Sequence, residues 1–246
     1  SANSIACTNI MLNAAVAESL KTYADRLEGV DDFETALHDM IKKTIKDHKR
    51  IIFNGNGYDD AWIKEATEKR GLLNLRTTPD ALPTLLEKKN VDMLTAHKIF
   101  SPAELVSRYE ITLENYCKTV NIEGLTMVDM ARKEIIPAVE KYVSDIASAY
   151  SAKKNSVPGI SVKYEEEMLK KLSVLVDEMD AATGALELSL VKYNTIKDIT
   201  EASEAIRDDV IPKMSVLRIA CDEAETITAE SYWPFPTYGD LLFGVK

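Results

Sequence analysis

The chain has 246 residues, of which 46% are hydrophobic, and it contains only 9 glycines and 8 prolines; this composition argues against a disordered chain and against a turn-rich all-β fold. Its formal net charge of −10 argues against nucleic acid as the main partner, because neutralising phosphates requires clustered lysine and arginine. No apolar run approaches the roughly 18 residues that a membrane span needs and no signal-peptide pattern opens the chain, so we predict a cytoplasmic protein with no membrane partner.

The first predicted helix runs from about Thr8 to Glu28 and is apolar nearly all round. One side carries apolar residues at three- and four-residue intervals, and the other side carries a second apolar set. The two sets are Leu12, Val16, Leu20, Tyr23 and Leu27, and Ile10, Met11, Ala14, Ala15 and Ala17. A helix of this kind is usually buried on every side. Because it is the first element and lacks an obvious partner on one side, we expect the chain to be a fragment of a longer protein.

A second helix is predicted from about Asp32 to Asp47, with acidic residues at its start and lysines at its end, in agreement with the helix dipole. Residues 50–100 contain only short elements separated by glycine and proline signals. Within this irregular segment, Asn54-Gly55-Asn56-Gly57 predicts tight turns with positive φ. The alternative interpretation is an anion-binding loop built from backbone N–H groups.

Long helices follow from Pro102 onward. Ser101 is the expected N-cap of the first, and Glu104 completes a capping box. The predicted spans are residues 102–152, 163–194 and 200–230, with a proline- and glycine-containing loop at 153–162. Helices of about 30 residues are roughly 45 Å long, and short loops between them require antiparallel packing. We therefore predict an all-α fold: residues 1–100 form helices plus an irregular connector, and residues 101–246 form an antiparallel bundle.

Two of the long helices contain a proline in mid-pattern, Pro137 after Ile135-Ile136 and Pro212 after Val210-Ile211. Proline removes one intrahelical hydrogen bond and crowds the preceding turn, at a cost of about 3 kcal/mol. The pattern indicates either a bend that wraps one helix around its neighbour or a functional hinge.

The last fifteen residues, from Tyr232, hold five of the seventeen aromatic side chains. Two prolines there argue against regular helix. This extended aromatic tail is expected to pack on its own bundle as a strap, and the alternative is a strand that docks on a neighbouring subunit.

No self-contained active site is visible. The three histidines do not form the Glu-x-x-His pairs of a di-metal bundle, and Glu34 with His38 is better read as a surface pair than as a metal site. A P-loop and a dinucleotide G-x-G-x-x-G are both absent. Cys7, Cys117 and Cys221 are each more than a hundred residues apart, which indicates a reducing compartment and small buried side chains. We predict no cofactor bound by these residues.

Eight segments, in order, resemble the C-terminal part of type III glutamine synthetases. They are Ser4–Leu20, which resembles the last long helix of the catalytic domain, Asn54–Tyr58, Arg70–Leu75, Thr77–Leu82, Glu104–Glu110, Leu113–Tyr116, Ile135–Ala138 and Trp233–Phe243. The resemblance spans nearly the whole chain and is weakest between about residues 147 and 201.

The resemblance implies an ATP- and Mg-dependent ligase that makes glutamine from glutamate and ammonium and assembles as a homo-oligomer, a dodecamer of two hexameric rings. The family draws its catalytic residues from strands upstream of the helix that opens this chain, so no residue here takes a catalytic or metal-binding role. We expect this portion to be inactive alone and to serve assembly or regulation. A related regulatory tyrosine loop in other bacterial glutamine synthetases makes Tyr58 a candidate regulatory residue, against the simpler interpretation of a packed turn tyrosine.

A second function, from a different class, remains open: a free-standing helical bundle that binds another protein through its seam and aromatic tail. The first helix discriminates between the two, since a free-standing protein must cover that helix from within its own residues.

Overall fold

The computed structural model describes residues 4–244, and within that range it contains helices and no β-strand. The predicted all-α fold is confirmed. The chain forms two compact units, Ser1–Ile111 and Thr112–Lys246. Its α-helices are α1 (Ala6–Leu27), α2 (Phe33–Asp47), α3 (Asp60–Lys64), α4 (Thr78–Ala81), α5 (Lys88–Ala96), α6 (Pro102–Met130), α7 (Ile136–Ser156), α8 (Lys163–Tyr193), α9 (Ile199–Ala205), α10 (Ile211–Ile227) and α11 (Tyr238–Leu242).

The first unit is built on α1, which packs against α2 and α5. Its small core consists of Ala14, Leu94, Phe100 and Leu105. A contact of 2.7 Å between His97 Nε2 and Glu18 Oε2 joins the end of α5 to α1. Only one face of α1 is used in this packing.

The opposite face of α1 is open to solvent. Leu12, Val16 and Leu20 are 62%, 57% and 61% exposed, and Ala14 is the one residue of this helix that is buried. This exposed face agrees with the expectation that α1 lacks a partner on one side among the described residues.

The starts of two helices follow from side-chain caps. The Ser101 backbone N–H donates to Glu104 Oε2 at 2.7 Å, and the Glu104 N–H donates to Ser101 Oγ at 3.3 Å, which confirms the capping box. At α2, Asp32 Oδ1 accepts from the Thr35 N–H at 3.1 Å. The loop expected to begin at Lys153 begins later, because α7 continues to Ser156.

The second unit is the bundle of long helices. α8 packs against α7 on one side and against α10 on the other, and the short loops between these helices make neighbours antiparallel, as predicted. The seam that α8 contributes to the core is Leu172, Leu175, Met179, Ala182, Leu186 and Leu190. α6 approaches α8 closely at Gly124, where an added Cβ would lie 3.0 Å from Leu190 Cδ2.

Both mid-helix prolines follow a π-helical turn. These turns are Ala131–Ile135 and Ile206–Val210, and the N–H of the next residue, Ile136 or Ile211, donates to the carbonyl five residues back. A π turn adds one residue to the helix and moves the carbonyl that the proline ring would otherwise crowd. The helix therefore continues through each proline.

The two π turns lie at the same level of α8. Arg132 in the first turn donates two hydrogen bonds to the Glu187 carboxylate, at 2.8 and 2.6 Å. Asp209 in the second turn accepts from Ser189 Oγ at 2.6 Å. Glu187 and Ser189 are only two residues apart on α8. The two π turns, which lie just before α7 and α10, therefore contact α8 at the same position along its axis.

None of the helices in residues 4–244 is both long enough and apolar enough to cross a membrane.

Candidate functional site

The turn at residues 54–58 is the candidate site from the sequence, and the structure places it at the surface. The Asn56 side-chain Oδ1 accepts from the Tyr58 N–H at 3.0 Å, which is an Asx turn. The carbonyl of Asn56 accepts from the Asp59 N–H at 3.3 Å. These two amides are thus engaged within the turn, and acidic residues follow it directly, so the arrangement does not favour an anion.

The predicted backbone conformation of this turn is wrong in one respect. Neither Gly55 nor Gly57 has a positive φ; the described glycines that do are Gly29, Gly71 and Gly159. Gly55 is required for space, since an added Cβ would lie 2.6 Å from Phe53 Cζ. Asn54 and Gly57 are exposed, and a Cβ added at Gly57 would have nothing within 4 Å.

Tyr58 is 96% exposed, so the interpretation as a packed turn tyrosine is wrong. The Asx turn and the Asp59 cap of α3 hold its backbone, while the phenol ring projects into solvent. The regulatory role of Tyr58 stays a prediction.

A cluster around Arg70 fixes the segment that carries this turn. The rings of Phe53 and Trp62 stack at 3.7 Å between centroids, and the Arg70 guanidinium lies 4.8 Å from the Trp62 ring. Arg70 Nη1 donates to the carbonyls of Arg50 at 3.2 Å and Ile52 at 2.9 Å. Its Nε and Nη2 donate to Glu65 Oε1 at 2.9 and 2.6 Å.

The sequence pattern did not identify this cluster. A short helical segment ends at Arg70, and Gly71 follows it with φ +62°. The sequence feature that points to this cluster is the occurrence of two aromatic residues and an arginine within the eighteen residues from Phe53 to Arg70.

Residues 4–244 contain no group of three or more His, Cys, Asp or Glu side chains arranged to hold a metal ion. Glu34 and His38 lie on α2 without a further ligand pair from that part of the chain. The side chains that the structure describes thus provide no metal centre.

The two buried cysteines are poor nucleophiles in this arrangement. Burial raises the pKa of Cys117, and burial, with a smaller contribution from Asp222, raises the pKa of Cys221 to about 11. Both thiols are therefore protonated at neutral pH. Cys7 is exposed, which contradicts the expectation that all three are buried.

The tail is anchored on the bundle over its first residues. Tyr232 donates from its hydroxyl to Asp145 Oδ2 at 2.5 Å, and this hydrogen bond raises the pKa of Tyr232. Trp233 and Phe235 are partly buried against the core of the second unit. Beyond them, Thr237 and Asp240 form a capping box that starts α11, so the expectation of a tail without regular helix is wrong for residues 238–242.

Comparison with known proteins gives a consistent result. Residues 36–154 match the family model described as glutamine synthetase C-terminal domain. A glutamine synthetase of Butyrivibrio fibrisolvens is 37% identical over 216 residues, which are 88% of this chain and 31% of that protein. A type-3 glutamine synthetase of Dictyostelium discoideum is 34% identical over 248 residues, 95% of this chain and 33% of that protein. A glutamine synthetase of Bacteroides fragilis is 28% identical over 249 residues, which are 97% of this chain and 34% of that protein. The chain spans about a third of the length of these curated relatives.

Proposed function

Because this chain belongs to the glutamine synthetase family, of which it is a C-terminal portion, we propose that it gives a type III enzyme its assembly surfaces and none of its catalytic groups. The proposed activity of the whole protein is the ATP-dependent ligation of ammonium to glutamate. The proposed whole protein is a homo-oligomer. In this account the portion described above is inactive alone.

The residues present do not fit the ATP and magnesium that such an activity requires. Magnesium prefers several carboxylate oxygens in octahedral geometry, and residues 4–244 bring no three acidic or histidine side chains together. The backbone N–H groups of Tyr58 and Asp59, which follow the Asn54–Gly57 turn, both donate to Asn56 and are not available to a phosphate. We therefore assign no step of the ligation to this portion.

The observation that carries the proposal is the exposed apolar face of α1. Leu12, Val16 and Leu20 recur at four-residue intervals and remain more than half exposed. Full burial of an apolar side chain of this size contributes roughly 1.5–3 kcal/mol. Because these three are about 60% exposed, covering all of them contributes on the order of 4 kcal/mol. The proposed cover is the remaining part of a synthetase about three times as long, in the same subunit or in a neighbouring one of the assembly.

The experiment substitutes Leu12→Ser, Val16→Ser and Leu20→Ser together in the full-length enzyme that carries this portion. We expect loss of the assembled species in sedimentation velocity and a parallel loss of glutamine formation. The same triple substitution in the 246-residue chain should leave its melting temperature nearly unchanged, since these side chains are exposed there.

A matched control uses Val174→Ser, Leu188→Ser and Val191→Ser on α8, which are 55%, 72% and 59% exposed. This control should leave assembly intact if the α1 face is the specific contact. Normal assembly and activity of the α1 variant would refute the proposed role of that face.

A second candidate function is a free-standing protein–protein interaction module. One observation favours it, an apolar groove between α6 and α10 in the second unit, and one counts against it, the exposed face of α1, which a free-standing protein would have to cover. A natural gene product with α1 as its first element would support this candidate.

A further inference from the structure

The groove between α6 and α10 has a cavity volume of about 750 Å³. Leu217 and Cys221 are buried in its floor, and its walls include Met127, Met130 and Met214. Methionine side chains are unbranched and adapt to differently shaped apolar partners. The lining thus suits a partner with a nonpolar surface, held by apolar packing more than by polar contacts.

The groove has the length of a helix. Its lining extends from Val120 to Ile135 along one side and from Ile211 to Glu225 along the other. At 1.5 Å per residue, each side is roughly 20 Å long, which corresponds to about fourteen residues or four turns. A helix laid in this groove would contact both α6 and α10, as a fourth member of the bundle.

The two π turns contribute to the same groove. Ile135 ends the first π turn and Ile211 directly follows the second, and both residues line the cavity. π turns inside α-helices occur frequently at functional sites. Their presence on both sides of one groove is an observation independent of its volume.

The rim of the groove is acidic. Arg218 Nε donates to Asp222 Oδ1 at 2.5 Å, so these two charges offset one another. Glu123 and Glu225 also line the groove, are exposed, and form no ion pair with any residue from 4 to 244. Two uncompensated carboxylates therefore flank an apolar channel.

We propose that this groove binds an amphipathic α-helix of a partner protein, about four turns long, with an apolar face and lysine or arginine on its flanks. The apolar face packs on the methionine walls in the helix-in-groove mode. The basic flanks lie against Glu123 and Glu225, which sets the charge preference of the site. The proposal goes beyond the ligase assignment and does not depend on it.

Trp233 lines the groove and reports its occupancy. The chain has two tryptophans, and the other, Trp62, lies in the first unit, so the Trp62→Phe variant leaves a single reporter. The probe is a 14-residue Leu/Lys peptide with leucines at helical spacing. Two control peptides are a Leu/Glu peptide of the same pattern and a Leu/Lys peptide with scrambled order.

We expect the Leu/Lys peptide to shift the Trp233 emission in a saturable titration and to gain helicity on binding. The Leu/Glu and scrambled peptides should bind at least about tenfold more weakly. Raising the salt concentration should weaken the Leu/Lys complex, because the rim charges are exposed and screened.

The variant Glu123→Lys with Glu225→Lys should weaken the Leu/Lys peptide about tenfold or more. The matched control is Asp177→Lys with Glu178→Lys on α8, which makes the same change in net charge away from the groove and should bind the peptide normally. Both pairs are at exposed positions; circular dichroism checks that each variant keeps its helices, and Glu123→Gln with Glu225→Gln gives a milder second test.

Several results would overturn the proposal. Absence of saturable binding by the Leu/Lys peptide would do so, as would equal binding of the Leu/Glu or scrambled peptide. Peptide affinity that the rim variant leaves unchanged would also contradict it. A Trp233 emission that changes with protein concentration alone, together with dimers in sedimentation, would show that a second copy of the chain occupies the groove instead.

Discussion

Replacing Arg70 with alanine should destabilise the first unit by about 3 kcal/mol. The substitution removes two hydrogen bonds to the Arg50 and Ile52 carbonyls and the ion pair with Glu65. Hydrogen bonds of a charged group contribute about 1.5–3 kcal/mol each, and the contact with Trp62 contributes about 0.5–1 kcal/mol. Water replaces part of this because the Arg70 side chain is 24% exposed, and the contributions are not additive.

The assay is urea unfolding followed by Trp62 fluorescence in a Trp233→Phe background, so that the signal comes from the Arg70 cluster. With a urea dependence of about 1–2 kcal/mol per molar, a loss of about 3 kcal/mol lowers the midpoint by roughly 2 M. Arg70→Lys is the control, since it keeps the charge and loses the planar guanidinium; it should recover less than half of the loss. A midpoint within roughly 0.3 M of wild type for Arg70→Ala would refute the role of Arg70 in holding this segment.

Three further predictions concern the second unit. Pro212→Ala should change the free energy of unfolding by less than about 1 kcal/mol, because the π turn already accommodates the proline; a gain near the roughly 3 kcal/mol expected for a proline in a regular helix would contradict this, as measured by urea unfolding. Gly124→Ala brings a methyl group within 3.0 Å of Leu190 Cδ2, and overpacking of this kind costs about 1–3 kcal/mol, against a gain of about 1 kcal/mol in helix propensity; we expect a net loss of up to about 2 kcal/mol, and a melting temperature that rises would count against close packing there. The hydrogen bond from Lys153 lowers the pKa of Glu165, so the stabilisation is fully present above the ordinary glutamate value of about 4.3 and is lost as pH falls through the lower folded pKa. The difference in stability between wild type and Glu165→Gln should therefore be largest at pH 7 and shrink below about pH 4, and a difference that grows on acidification would have the wrong sign.

The long helices were predictable because their signals are local. The four- and three-residue spacing of Leu172, Leu175 and Met179 identifies the buried side of α8, and the Ser101–Glu104 box identifies the start of α6. Both depend on residues within one or two turns of each other. Sequence periodicity is sufficient for elements of this kind.

The π turns were not predictable from the same patterns. Pro137 and Pro212 indicated an irregularity. One extra residue in a helix, however, moves the following apolar residues by a single position, and spacings of three and four residues already alternate in a regular apolar stripe. At the π turns, Arg132 and Asp209 pair with residues of α8, and these are contacts between parts of the chain that are distant in sequence.

The candidate site was predicted in position and only partly in conformation. The Asn-Gly repeat lies in a turn, but neither glycine has a positive φ; the reason that favours glycine at position 55 is that an added Cβ would meet the Phe53 ring. That reason depends on the stacking of Phe53 with Trp62, which spacing along the sequence does not reveal. The regulatory role of Tyr58 stays a prediction of the resemblance.

The most direct test of the central claim measures glutamine formation by the purified 246-residue chain with ATP, magnesium, glutamate and ammonium, beside a full-length type III glutamine synthetase. The claim that this portion supplies assembly surfaces without catalytic groups predicts that glutamine stays at the level of a no-protein blank. ATP-dependent glutamine formation by the chain alone, proportional to its concentration, would contradict that claim.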